Sequence, residues 1–185
     1  MKFRCERDVL VDALGTAGRA ATSRAALPVL SGLRLQLSGD QLRITGSDLD
    51  LTITRSLSVA GAEDGVAVLP AKLAVDIVRA LEPGGVEVDT SGDRPSIRAG
   101  RSEFFLNAIP ADEYPNPHEP EGESVTLQSG HLADGLRQVV GAASSDESRP
   151  ILTGVLLAAE DGGLRLVSTD SYRLAYRDLP GTSLL

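Results

Sequence analysis

Pro28-Val29-Leu30-Ser31-Gly32-Leu33 and Pro150-Ile151-Leu152-Thr153-Gly154-Val155 are two versions of one stretch, 122 positions apart. The same offset lays Leu42-Arg43-Ile44 on Leu164-Arg165-Leu166 and Ser47-Asp48 on Thr169-Asp170. Between residues 28 and 48 the 21 pairs align without a gap, seven identical and five conservative. Self-similarity over this length means one folding unit used more than once, so every other motif is read within it. The first copy takes about 120 residues and the second, 123–185, about half as many. Residues 1–120 are therefore expected to form a complete domain and 123–185 the first half of another.

Working outward from Pro28, residues 7–20 read as an amphipathic helix, with Leu10, Leu14 and Ala17 as its stripe and Val9 and Ala13 beside it. After Pro28 come three short alternating strands: Leu33, Leu35 and Leu37; then Leu42 and Ile44 beyond the Ser38-Gly39-Asp40 turn; then Leu49, Leu51 and Ile53 beyond Ser47-Asp48. A weaker version follows. Val66 and Val68 make a strand, and Pro70 opens a helix, where its missing N–H costs nothing. Leu73, Ile77 and Leu81 give that helix its stripe, Pro83-Gly84-Gly85 ends it, and strands at 86–90, 95–99 and 103–109 follow. The spacing predicts an α+β domain of repeated β-α-β-β-β half-units, with helices on one face of antiparallel sheets. Four prolines and five acidic residues at 110–123 mark a linker. The pattern then restarts: Val125 and Leu127 as a strand, Ser129 as a helix cap, Leu132, Leu136, Val139 and Val140 as the helix face. Strands at 151–158, 163–168 and 172–177 complete the half-unit.

Composition narrows the function classes. Of 185 residues 42% are apolar and 24% charged, ordinary for a globular chain. No apolar run reaches the length of a membrane span and Met1-Lys2-Phe3-Arg4-Cys5-Glu6 has no signal-peptide pattern, which points to the cytoplasm. A net charge of −8 argues against tight nucleic-acid binding by bulk electrostatics. Cys5 is the lone cysteine and reads as a strand residue, with neither disulfide nor metal cluster open to it.

No arrangement carries catalysis, a cofactor or a metal. His118 falls in the linker and His131 at a helix start, neither with ligand or triad partners nearby. Asp48 and Asp50 form a DxD, but Asp48 recurs as Asp170 while Asp50 becomes Tyr172, so the shared aspartate reads as an Asx-turn. Ser144-Ser145-Asp146-Glu147-Ser148 reads as a solvated loop. Thr169-Asp170-Ser171-Tyr172-Arg173-Leu174 departs from its first-copy counterpart just after the shared turn, gaining Tyr and Arg. Those residue types are favoured at binding hot spots; an ordinary hairpin with one exposed aromatic is the other reading.

Several stretches carry a family resemblance: Met1-Lys2-Phe3, Ala26-Leu27-Pro28-Val29-Leu30, Thr45-Gly46-Ser47-Asp48-Leu49, Ala99-Gly100-Arg101-Ser102, Phe104-Phe105-Leu106, Tyr114-Pro115-Asn116 and Thr169-Asp170-Ser171-Tyr172-Arg173-Leu174. Together, in order along the whole chain, they resemble the bacterial DNA polymerase III β subunit, the sliding clamp. The resemblance implies the DNA-clamp fold, with three copies of one domain per subunit and two subunits closed head to tail around duplex DNA. Helices line the hole and sheets form the outside. This chain then supplies the first domain and half of the second, with the third absent, and the natural protein is expected to continue past Leu185.

The function so implied is that of a non-catalytic processivity factor. A ring holds DNA by topology, so weak, local phosphate contacts suffice. Arg7, Arg19, Arg24, Lys72, Arg79 and Arg137 lie on or just after the predicted helices and are the expected DNA-facing residues, sharing those helices with Asp8, Asp12, Asp76 and Asp134. The family binds its polymerase catalytic subunit, clamp loader and repair polymerases through short linear peptides. The matching pocket positions are Leu152, Thr169, Ser171, Tyr172, Arg173 and Leu174, with Ser171-Tyr172 where members often have Gly-His. Phe104 and Leu106 match the subunit interface of the homodimeric ring. Without the missing part, peptide binding should be weak and no closed ring should form. A clamp paralogue acting as a peptide- or drug-binding regulatory module without DNA loading is the alternative; a metal-dependent hydrolase using Asp48 and Asp50 is a third.

Overall fold

The computed structural model describes residues 1–21, 27–92, 94–115, 129–160 and 163–180. The chain divides into two compact units, Met1–His118 and Glu119–Leu185. Among the described residues no helix is long and apolar enough to cross a membrane.

Unit 1 runs β1 (Lys2–Glu6), α1 (Arg7–Ala17), β2 (Gly32–Ser38), β3 (Gln41–Ser47), β4 (Thr52–Ser58), β5 (Ala60–Glu63), β6 (Gly65–Pro70), α2 (Ala71–Ala80), β7 (Gly85–Asp89), β8 (Ser96–Ala99) and β9 (Ser102–Phe105). Two antiparallel sheets form, ordered β5-β1-β7-β8-β9 and β4-β3-β2-β6. The opening strand of each half crosses into the sheet of the other: β1 pairs with β7 (Phe3 opposite Val88) and β6 pairs with β2 (Leu35 opposite Ala67). Neither half can therefore close its sheet alone. The helices pack on each other, and Leu10, Ala13, Leu14 and Ala17 of α1 enter one core with Ala71, Ala74, Ile77 and Val78 of α2. Phe3, Leu33, Leu35, Leu42, Ile44, Val86, Val88 and Ile97 complete that core from both sheets. At Gly46 the backbone of β3 lies so close to the end of α1 that a Cβ would collide with the Ala17 carbonyl oxygen.

Unit 2 contains α3 (Ser129–Val139) and the antiparallel sheet β10 (Leu156–Glu160), β11 (Gly163–Thr169), β12 (Leu174–Pro180). Its core is small: Val139 against Leu164, Leu166 and Leu179. Leu164 and Leu166 are buried, whereas Leu157 stays 56% exposed.

Several elements differ from the sequence expectation. The α1 helix stops at Ala17, three residues early, because Arg19, Ala20 and Ala21 bond to carbonyls three residues back and tighten the last turn. Val9 is exposed and falls outside the buried stripe. The strand expected at Leu49–Ile53 begins only at Thr52, since the Asp48 carboxylate takes the N–H groups of Asp50 and Leu51 at 3.1 and 2.7 Å, away from a ladder. Leu49 and Leu51 are consequently exposed. β5 is an additional strand, built from Ala60-Gly61-Ala62-Glu63 and lacking the branched residues that signal one. Pro150 opens a 3-10 turn (Pro150–Leu152) as Pro28 does (Pro28–Ser31), so the strand expected from 151 starts at Leu156. The β12 strand begins at Leu174 where one was expected from 172. Arg24, His118, Val125 and Leu127 lie outside the described residues.

Candidate functional site

Two regions gather the expected site residues. The first is the groove between α1 and α2, about 720 Å³, where Arg19, Lys72 and Arg79 meet over a lining of small and apolar residues. Arg79 lies in the last turn of α2, Lys72 in its first, and Arg19 in the tight turn that follows α1, so two helix ends and one beginning aim cations at one channel. Among the described residues Asp76 is the one carboxylate in the lining. Arg7, also expected there, is committed elsewhere. Its Nη1 donates to the Arg79 carbonyl at 3.1 Å, and its Nε lies 3.1 Å from Asp8 Oδ1 without hydrogen-bond alignment. A cation on a last-turn carbonyl caps α2, which makes Arg7 a brace between the helices. In unit 2, Arg137 donates to Asp134 at 2.6 Å across one turn of α3, so its charge is locally balanced.

The second region is the turn between β11 and β12. Asp170 Oδ1 accepts the N–H groups of Tyr172 and Arg173, both at 2.9 Å, and its Oδ2 takes Arg173 Nε at 2.9 Å. Those N–H bonds, Arg173's first, hold the Asp170 carboxyl below its usual range. Thr169 Oγ1 accepts from Ser171 N at 3.1 Å and donates to the Arg173 carbonyl at 2.6 Å. The turn so wound puts Ser171 at φ +80° and leaves Tyr172 94% exposed with Leu174 exposed beside it. Unit 1 repeats the design, with Leu49 at φ +83° following Asp48. The Asx-turn expectation for both aspartates is met by this geometry.

Leu152, on the Pro150–Leu152 turn, is half-buried. A side-chain bridge joins that turn to the hairpin. Arg149 Nη1 donates to Ser171 Oγ at 3.2 Å, and its Nε donates to Asp146 Oδ2 at 3.0 Å. Asp146 is itself held below the usual carboxylate range by the Ser148 hydroxyl first, then by the Ser148 N–H and Arg149. Residues 144–149 are thus an organised turn. The available signal was a divergence between copies, Arg149 standing where the offset places Leu27.

At the edge of the larger unit 1 sheet, β9 presents Phe104 (40% exposed) and Phe105, with the Arg94 guanidinium 5.6 Å from the Phe105 ring. Leu106, expected to share an interface with Phe104, is 1% exposed inside the core, its N–H bonded to the Pro95 carbonyl at 2.9 Å. Burial places the Leu106 side chain beneath the edge, and Phe105 is 52% exposed on it.

The comparisons with known proteins agree along the whole chain. A model of the DNA polymerase III beta subunit, N-terminal domain, matches residues 1–118, and one of the central domain matches 126–183. The beta sliding clamp of Streptomyces coelicolor is 37% identical over 179 residues, covering 96% of this chain and 47% of its own length. The crystal structure of the Bacillus subtilis DNA polymerase sliding clamp is similar at a TM-score of 0.90 and 35% identity, over 97% of this chain and 50% of that one. The Pseudomonas aeruginosa sliding clamp bound to griselimycin gives 0.90 and 30%, over 97% and 50%. The chain spans about half the length of the relatives it matches.

Proposed function

The chain belongs to the DNA polymerase III β-subunit family, and from that premise we propose that unit 1 contributes a DNA-facing wall of a sliding clamp and unit 2 one wall of its partner pocket. The clamp acts as a non-catalytic processivity factor, encircling duplex DNA as a homodimeric ring. It tethers the polymerase III catalytic subunit, the clamp loader and repair polymerases through linear peptides. The observation that carries this reading is the convergence of Arg19, Lys72 and Arg79 on one groove in a chain of net charge −8. A locally cationic channel on an acidic protein suits contacts that follow phosphates without gripping them. On the same premise, Leu152, Tyr172 and Leu174 offer apolar surface to a peptide, Arg149 and the Asp170 turn hold that surface in shape, and the β9 edge with Phe104 faces a second subunit. Arg24 and Arg137 remain further proposed contacts to DNA.

Duplex binding by the chain carrying Arg19→Ala, Lys72→Ala and Arg79→Ala together tests the groove. Each lost phosphate contact lowers the slope of log affinity against log salt by about 0.9, so the triple variant should lose between two and three units of slope. A control variant, Lys2→Ala with Arg98→Ala on the sheet, should match the wild type. Equal losses in both variants would refute a groove-specific contact. Griselimycin binding without any duplex contribution from the groove would favour the paralogue reading instead.

A further inference from the structure

The four carboxylates on the described helices are not equivalent. Asp8 lies 3.1 Å from Arg7, Asp12 is 3.0 Å from Arg55, and Asp134 is 2.6 Å from Arg137. Asp76 alone makes no ion pair among the described residues, although Lys72 four residues before it and Arg79 three after stand at the spacings that form pairs on a helix. It is exposed, and it lines the groove together with those two cations and Arg19. A paired carboxylate is largely masked at a distance, whereas an unpaired one projects its full charge on whatever enters the channel.

We propose that Asp76 is an electrostatic brake: an unpaired carboxylate set among the three groove cations that keeps their hold on phosphate weak. The inference rests on the DNA-facing reading of the groove and adds a residue that acts against binding. A phosphate drawn toward Arg19, Lys72 and Arg79 meets repulsion from Asp76 in the lining of the same groove. Lys72 and Arg79 also divide their attraction between the incoming phosphate and this fixed anion. A protein held on DNA by topology gains nothing from tight contacts, which would slow its movement along the duplex, so a carboxylate at this place favours sliding.

The test uses the whole chain and a short fluorescent duplex, with anisotropy read between about 50 and 200 mM salt. Removing one unit charge about 7 Å from a phosphate in water corresponds to about threefold tighter binding at the low-salt end. Asp76→Asn should therefore bind about threefold more tightly than wild type, with a steeper salt slope, the advantage fading as salt screens it. Asp76→Ser should do the same, Asp76→Glu should stay near wild type, and urea midpoints should confirm that each variant is folded. Unchanged or weaker binding by Asp76→Asn and Asp76→Ser, while Lys72→Ala with Arg79→Ala still weakens binding, overturns the brake and leaves the DNA-facing wall standing. No effect of the Lys72→Ala, Arg79→Ala pair overturns the wall and the brake with it. A gain for Asp76→Asn that survives high salt also overturns the brake, because a screened charge cannot produce it.

Discussion

Leu35 and Leu157 occupy the same place in the repeat, 122 residues apart, and truncating each to alanine measures what the surrounding structure contributes. Leu35 lies mid-strand in β2, opposite Ile44 of β3 and Ala67 of β6, and is 1% exposed. Leu157 lies in β10, opposite Leu166 of β11 and no other strand among the described residues, and is 56% exposed. Leucine to alanine removes three carbon groups, worth about 2.4 kcal/mol of transfer free energy when fully buried. A closed core adds a cavity penalty, bringing Leu35→Ala to about 3–4.5 kcal/mol. At Leu157 less than half the side chain is covered and the open strand leaves no sealed cavity, so the loss should be about 1 kcal/mol or less. Native-state hydrogen exchange followed by mass spectrometry reads the two units separately. Peptides from β2, β3 and β6 should lose most of their extra protection in Leu35→Ala, and peptides from β11 and β12 should change little in Leu157→Ala. A loss near 3 kcal/mol at Leu157 would refute the reasoning, since it would mean that β10 is covered in solution.

Three further perturbations follow from local chemistry. The Ser91 hydroxyl and N–H lower the pKa of the Asp89 carboxyl to about 2, with Lys2 adding at 3.3 Å. Because its folded pKa is depressed from 3.8, its contribution to stability is present above that value and is lost as pH falls toward 2. Carboxyl NMR titration of Ser91→Ala should show the Asp89 midpoint rising back toward 3.8, and an unmoved midpoint would contradict the assignment. Burial, with Glu6 adding, pushes the Cys5 thiol up to about 11, so alkylation by iodoacetamide at neutral pH should be slow and should accelerate sharply in denaturant. Fast labelling of the folded chain would show that β1 opens more readily than its pairing implies. Gly46→Ala should cost about 2–3 kcal/mol in a urea titration, because its Cβ meets the rigid Ala17 carbonyl, and a neutral outcome would mean that α1 shifts freely.

How much of this was legible in the sequence follows from the range of the interactions. Helices, hairpins and the Asp48 and Asp170 turns are set by neighbours a few residues apart, so periodicity and turn chemistry disclosed them. The exchange of β1 and β6 between sheets joins Phe3 to Val88 and Leu35 to Ala67, and no local pattern encodes such pairings. The same holds for Arg7, whose bond to the Arg79 carbonyl joins residues far apart in sequence. The strand expected at 103–109 is shorter, because β9 ends at Phe105 and Leu106 enters the core. Leu49 and Leu51 misled for a different reason: hydrophobic alternation continued through a turn whose N–H groups were already taken by Asp48.

The repeat separates scaffold from site more sharply than either copy does. What the two units share, the Pro turn and the aspartate that winds the hairpin, produces the same left-handed residue at 49 and 171. A side chain held at positive φ costs about 1 kcal/mol, so each copy sustains strain in order to fix the hairpin's exit. Only unit 2 attaches something to it: Arg149 reaches Ser171, and Tyr172 and Leu174 stand exposed beyond. Unit 1 places Leu27, Leu49, Asp50 and Thr52 at those four positions, with no guanidinium to bridge the turns. The proposed peptide surface of unit 2 thus lies where the copies diverge, on a frame where they agree. The groove in unit 1 follows the same logic at the level of charge, since its cations and Asp76 lie on α2 and beyond the end of α1, away from the strands that carry the repeat.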